Sequence, residues 1–162
     1  MSKTTADAVN LEALPGHYIR RLQQIAVSIF LQETAPLGVT PVQYAALQAI
    51  SNTPGIDQRT LAATIGFDTS TIAGVIDRLE ARALVARSAS ADDRRVRLLS
   101  ITAAGTKLLR ELVPPMLNAQ IRMLDPLTKT ERETFMRLLQ KVVEANNEHS
   151  RAPRNLDGGA AT

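Results

Sequence analysis

The sequence predicts a mostly α-helical domain that carries one small β-hairpin, with long helices at both ends of the chain. Three observations lead there. Apolar residues recur at three- and four-residue spacing over most of the 162 residues, as amphipathic helices require. After Leu84 the pattern turns extended, with Leu84-Val85-Ala86-Arg87 and Val96-Arg97-Leu98-Leu99-Ser100-Ile101 as two candidate strands around a polar, turn-rich segment. Caps and breakers punctuate the apolar stripes throughout.

The elements follow in order. Residues 1–12 are small, polar and aperiodic and read as a disordered arm. From about Pro15 a helix places Ile19, Leu22, Ile25, Ala26, Ile29 and Phe30 on one face, ending before Gly38. Thr40-Pro41 reads as an N-cap followed by proline at the first helical position, opening a helix with Tyr44, Leu47, Ala49 and Ile50 inward. Asn52-Thr53-Pro54-Gly55 breaks it. A short helix from Asp57 to Ile65 stops at Gly66, and Asp68-Thr69-Ser70-Thr71 offers cap oxygens to the next. That next helix turns Ile72, Val75, Ile76 and Leu79 inward and leaves Thr69, Ser70, Ala73, Gly74, Asp77 and Arg78 outside. The hairpin comes next. Thr102 then caps a long helix through Leu108, Leu109, Leu112 and Val113, which Pro114-Pro115 should kink or interrupt. Leu117, Ile121 and Leu124 continue its stripe. Thr128 and Glu131 form a capping box for a last helix expected to bury Phe135, Leu138, Leu139, Val142 and Val143. Residues 149–162 read as a flexible tail.

Two short helices joined by a tight turn containing glycine, followed by a hairpin, describe a winged helix-turn-helix. Residues 40–102 form that lobe. The helices of 13–36 and 103–148 carry more apolar surface than so small a lobe can cover, so they are expected to pair with each other and with a second chain, as dimerisation helices.

Composition removes several function classes. The chain has no cysteine, which excludes disulfides, thiolate metal sites and thiol redox switches. Two histidines leave little for a metal, and a cation at Asp92 and Asp93 would meet adjacent arginines. Two Tyr, three Phe and no Trp argue against a stacking platform for single strands. There is no run of about 18 apolar residues to span a membrane, and the N-terminus lacks a signal-peptide core, so a cytoplasmic protein is expected. No nucleophile–base–acid set and no glycine-rich phosphate loop is present, which speaks against an enzyme; no cofactor and no metal is called for. Net charge is only +3. Its distribution is more telling: Arg78, Arg82, Arg87, Arg94, Arg95 and Arg97 face only Glu80, Asp92 and Asp93 over twenty residues. Nucleic-acid binding leaves such a footprint, and so does a solvated face.

Residues 60–109 carry a composite pattern. It comprises Leu61-Ala62-x-x-Ile65-Gly66, then Ser70-Thr71-Ile72-Ala73-Gly74-Val75-Ile76-Asp77-Arg78-Leu79-Glu80, Leu84-Val85-x-Arg87, Asp93-Arg94-Arg95 and Leu99-Ser100-Ile101-Thr102-x-x-Gly105. In order and spacing it resembles the MarR family of bacterial transcription regulators, and with the flanking helices the resemblance spans about residues 13–148. It implies a homodimer on a pseudo-palindromic double-stranded operator, with recognition helices about 34 Å apart, one DNA turn. Thr69, Ser70, Thr71, Gly74 and Arg78 would face the major groove or its phosphates, with Arg87 also among the DNA-binding residues. Asp68, Thr69 and Ser70 can equally be simple caps. Asp93 would orient Arg95 for the minor groove with Arg94 on the backbone, where a surface ion pair is the plainer alternative.

Two departures stand out. Ala83 occupies a position where the family usually has glycine, so a slightly different turn is expected. Gly74 replaces a larger polar or basic residue, which reduces readout there to close backbone approach. The family often binds small aromatic acids, which here would fall to His17, Tyr18, Arg20, Arg21, Tyr44 and Phe67: cations for a carboxylate, rings for stacking, Phe67 as an apolar wall. The same residues also suit a solvated helix face. The stretch Leu14-Pro15-Gly16-His17-x-Ile19-Arg20-Arg21-Leu22-Gln23-Gln24 is similar to the nicotinate-catabolism repressors within the family, which implies a pyridine carboxylate effector. The competing readings are a winged-helix protein-interaction module and a DNA-binding regulator without a small-molecule effector.

Overall fold

The computed structural model describes residues 10–91, 93, 95–150 and 153. Six helices and three short strands appear among them: α1 (Pro15–Glu33), α2 (Pro41–Asn52), β1 (Ile56–Asp57), α3 (Gln58–Ile65), α4 (Thr69–Ala81), β2 (Val85–Ala89), β3 (Arg97–Ile101), α5 (Ala103–Met123) and α6 (Lys129–Ala145). The arm read over residues 1–12 lies outside the described residues up to position 9; Leu11–Ala13 form a 3-10 turn capped by the Asn10 side chain. The tail beyond Ser150 lies outside them except for Pro153.

Each helix of the central lobe starts on a side-chain oxygen that the sequence supplies. Thr40 and Gln43 form a reciprocal capping box with Pro41 behind it. The Asp57 carboxylate accepts from the Arg59 and Thr60 amides at 2.9 Å each, and Asp68 accepts from the Thr71 amide at 2.8 Å. Gly66 closes α3 in the left-handed conformation, φ 73°. The core beneath is Leu47, Ile50, Leu61, Ile72, Val75, Ile76, Leu79 and Leu99, each at most 1% exposed. All four residues assigned inward on the recognition helix are among them.

The hairpin expectation needs correcting to a three-stranded sheet in the order β1-β3-β2, all antiparallel. Ile56 pairs Leu99 and Asp57 pairs Leu98. A two-residue strand is too short to show any periodicity. The central pairing of β2 with β3 runs from Val85↔Ile101 to Ala89↔Arg97, leaving β2 at an edge.

Three further expectations change. Ala83 is left-handed at φ 55°, not in an altered turn. It holds there because the Ala83 and Leu84 amides close the end of α4 on Glu80 and Leu79 (2.8 and 3.0 Å), while its carbonyl accepts from the Thr102 hydroxyl at 2.7 Å. Pro114 and Pro115 sit inside a continuous α5 and do not interrupt it. The carbonyls that lose amide partners belong to Arg110 and Glu111, at exposed positions where water can replace the missing bonds. Lastly, α6 buries none of its residues within one chain: Leu138, Leu139, Val142 and Val143 are 40–60% exposed and Phe135 is half-buried.

The outer helix α1 packs along α5. Phe30 of α1 and Ala119 of α5 are buried, and the Phe30 ring meets Tyr44 of the lobe. Glu33 accepts from Asn118 at 2.6 Å and Arg122 at 3.0 Å, and these two bonds, Asn118 first, hold its carboxyl below the usual range. Among the described residues, no helix is long and apolar enough to cross a membrane.

Candidate nucleic-acid interface

The recognition helix α4 exposes a polar face because its apolar residues are consumed by the core. Its first turn is organised by Asp68. The Ser70 hydroxyl lies 2.5 Å and the Thr71 hydroxyl 2.7 Å from the Asp68 carboxylate. These bonds, with the Thr71 amide, hold the Asp68 carboxyl far below its ordinary range. A carboxylate carries no proton, so both hydroxyls must donate inward. They therefore offer lone pairs and, at Thr71, a methyl group to the outside, and the expected donation to phosphates would require them to leave the cap. Thr69 is exposed beside them.

One turn on, Gly74 leaves the helix surface open. A Cβ built there would touch only the Arg78 guanidinium, at 3.9 Å, so packing does not require glycine here. Arg78 itself is exposed. Next to this face stands the wing. Asp93 accepts from the Arg95 amide at 2.9 Å and, at 3.4 Å, from its Nε. That is the orienting geometry expected of Asp-x-Arg, and the Arg95 side chain remains 93% exposed. Arg94 lies outside the described residues.

Arg87 differs from the other arginines. Its Nη2 donates to Asp77 and its Nη1 to Glu80, each at 2.6 Å. Only 24% of its side chain is exposed. The bond to Asp77, opposed by burial and aided by the charge of Glu80, raises its pKa further. Its guanidinium is turned onto the two carboxylates of α4. Sequence spacing could not reveal this, since the partners lie seven and ten residues away across a turn. Arg82 was likewise missed as a structural residue: it donates to the Gly38 and Leu37 carbonyls at 2.8 and 3.2 Å, fastening the end of α4 to the link between α1 and α2.

The residues assigned to a small ligand divide. The His17 and Tyr18 rings meet edge to face at 5.6 Å. Arg20 and Arg21, with Gln24, Ile25 and Ser28, line an open hollow of about 310 Å³ on α1. A second, apolar hollow of about 460 Å³ shares Arg21 and Ile25 and adds Tyr18, Ile19, Leu22, Phe135 and Leu139. Tyr44 does not join them. It stacks obliquely on Phe30, twelve residues or about 18 Å along α1 from Tyr18, where burial raises its pKa. Phe67, 37% exposed, sits at the turn between α3 and α4 and lines neither hollow. Among the described residues, no group of three or more acidic or histidine side chains could hold a metal.

A polar recognition helix flanked by an arginine-tipped wing matches known proteins closely. The model of the MarR family matches residues 37–96. The PcaV transcriptional regulator of Streptomyces coelicolor, solved with its natural ligand, superposes with a TM-score of 0.76 at 35% identity, covering 85% of this chain and 97% of that one. The chain belongs to the MarR family. As a MarR-family transcription regulator it has close company. BpsR of Bordetella bronchiseptica, solved to explain regulation of its DNA binding by 6-hydroxynicotinic acid, superposes at TM-score 0.79 and 30% identity over 83% of this chain and 96% of that one. The transcriptional repressor NicR of Pseudomonas putida is 28% identical over 151 residues, 89% of this chain and 96% of that protein. The MarR-family fold accounts for the sheet order and the long flanking helices, including those whose apolar faces remain uncovered in a single chain.

Proposed function

We propose that the chain is a cytoplasmic, homodimeric repressor that binds a pseudo-palindromic operator and is released by a small aromatic carboxylate, with a hydroxylated pyridine carboxylate as the first candidate. It is not an enzyme in this reading. The observation that carries DNA binding is that one lobe holds both the exposed polar face of α4 and Arg95, which is 93% exposed and oriented by Asp93 in a wing whose strand β2 is tied to α4 through Arg87. An arginine so placed suits a narrow minor groove while the helix enters the adjacent major groove. The uncovered stripes of α6 and of the distal part of α5 support a second copy as partner, because Leu117, Ile121, Leu138, Leu139, Val142 and Val143 are 40–60% exposed in the single chain.

The effector reading rests on the two hollows that meet at Arg21 and Ile25. One offers guanidinium, amide and hydroxyl donors for a carboxylate, and the other an apolar wall for a ring. The regulation reported for BpsR by 6-hydroxynicotinic acid supports the same chemistry. Occupation of this region would act on α1 and through Arg82 on the recognition helix, which is a route for shifting the spacing of two lobes.

The test is an anisotropy titration of labelled duplex from upstream of the chain's own gene, beside a scrambled duplex, at two salt concentrations, with and without 6-hydroxynicotinate. Salt-dependent preference for the first duplex, weakened by the acid, is the expected result. Preference indifferent to the acid removes the effector. Equal weak binding to both removes sequence-specific regulation at that promoter and favours a protein-interaction module.

A further inference from the structure

We propose that Arg87 is a positioning residue that braces the wing against the recognition helix, an inference that rests on the reading of α4 and the wing as one DNA-reading surface. Three features of the fold place the need for a brace at this point. First, β2 is an edge strand whose sheet neighbour is β3, and only its first residue, Val85, is buried in the core, leaving the part toward the wing tip without core packing. A strand so held can rock about that ladder and carry the wing tip with it. Second, Arg87 is the central residue of β2, paired with the fully buried Leu99, so a force applied there acts on the whole strand. Third, the rigid guanidinium fork spans two carboxylates, Asp77 and Glu80, which lie three residues apart on one side of α4. Each bond is charge-assisted and 2.6 Å long.

The brace also settles an electrostatic conflict. Asp77, 64% exposed, lies on the outward side of the recognition helix, where a bare carboxylate would repel phosphate. Arg87 supplies the compensating charge without itself projecting outward. Two of the wing arginines therefore divide the work: Arg95 is 93% exposed and available to DNA, whereas Arg87 is mostly covered and committed to α4.

A brace and a phosphate contact make different demands on Arg87→Met. In the free protein, a brace predicts that amide hydrogens of Val85–Ala89 exchange at least tenfold faster, while those of α2 keep their protection. With the duplex from upstream of the chain's own gene, affinity falls at least tenfold, yet the slope of log affinity against log salt stays that of the wild type. Arg87→Lys restores part of both the protection and the affinity. Arg95→Ala serves as the reference for a true contact, with a shallower slope. A phosphate contact would leave exchange unchanged and reduce the slope by about 0.9 per protomer, which would overturn the proposal, as would an affinity within twofold of wild type. If Arg87→Met fails to fold, the Lys variant carries the same exchange and slope readings. Wild-type protein that shows no preference for any duplex would sink the DNA reading instead, while the exchange measurement would still report on the brace.

Discussion

The central lobe and the outer helices use the same amphipathic grammar to different ends. In the lobe, every apolar stripe meets another from the same chain, and Leu47, Ile50, Leu61, Ile72, Ile76 and Leu79 are fully covered. In α6 the stripe is as regular, but Val142 and Val143 are 54% and 60% exposed. The lesson is that periodicity specifies a face, not its partner. A lobe whose core closes on itself can present polar residues outward without losing stability, and the outer helices remain available to join two such lobes.

The largest effect that would break this contrast is a core truncation. Ile76→Ala should cost about 2–5 kcal/mol, read from chemical denaturation, because a fully buried side chain leaves a cavity. Phe135→Asp should instead leave the lobe's unfolding midpoint nearly unchanged at low concentration and halve the sedimenting mass, since its partner surface would lie on another chain. Lobe unfolding on Phe135→Asp would mean that α6 belongs to the single-chain core after all.

Backbone positions sharpen the comparison at intermediate size, with opposite signs. A Cβ at Gly105 would overlap the Leu84 carbonyl oxygen and the Ile101 side chain, so Gly105→Ala should destabilise by about 1–3 kcal/mol. Ala83→Gly should stabilise by up to about 1 kcal/mol, because glycine removes the left-handed strain at φ 55° while adding some unfolded-state entropy. Thermal melts of both variants check the pair. A lower midpoint for Ala83→Gly would mean that the strain is already relieved by the Thr102 hydroxyl on its carbonyl.

The smallest effects concern pH. Asp68 is held low by Ser70 and Thr71. At Asp57 burial acts upward but bonds from Thr60 and Arg59 outweigh it, while Glu131 is held low by Thr128 and Glu33 by Asn118 and Arg122. A carboxyl with a depressed folded pKa contributes stability that is complete above its unfolded value and is lost as pH falls through the folded one. Melting temperature should therefore be flat near neutrality and fall below about pH 4. The decline should be shallower in Asp57→Asn, which removes one titrating cap; an unchanged acid profile would show that this cap contributes nothing through its charge.

Much of the fold was legible because local chemistry dictated it. Thr40, Asp57, Asp68, Thr102 and Thr128 all cap the helices they precede, and Gly66 ends α3. Asp93 orients Arg95 over two residues, a distance that spacing can reveal. The candidate ligand region was legible only in part. Arg20, Arg21 and Tyr18 share one helix, with Arg20 lining one hollow, Tyr18 the other and Arg21 both, whereas Tyr44 is grouped with them by residue type and lies elsewhere.

By itself, then, the sequence determined where helices begin and end, which faces are apolar, and where arginine is concentrated, since caps, periodicity and charge act within a few residues. Only the tertiary structure decided that Ile56 and Asp57 add a strand, that Ala83 accepts a left-handed backbone, that α5 runs through two prolines and that Arg87 turns inward onto Asp77 and Glu80. Each of those outcomes depends on a partner brought close by folding. Such a contact stabilises only after the intervening chain has been ordered, and nothing in local spacing encodes it.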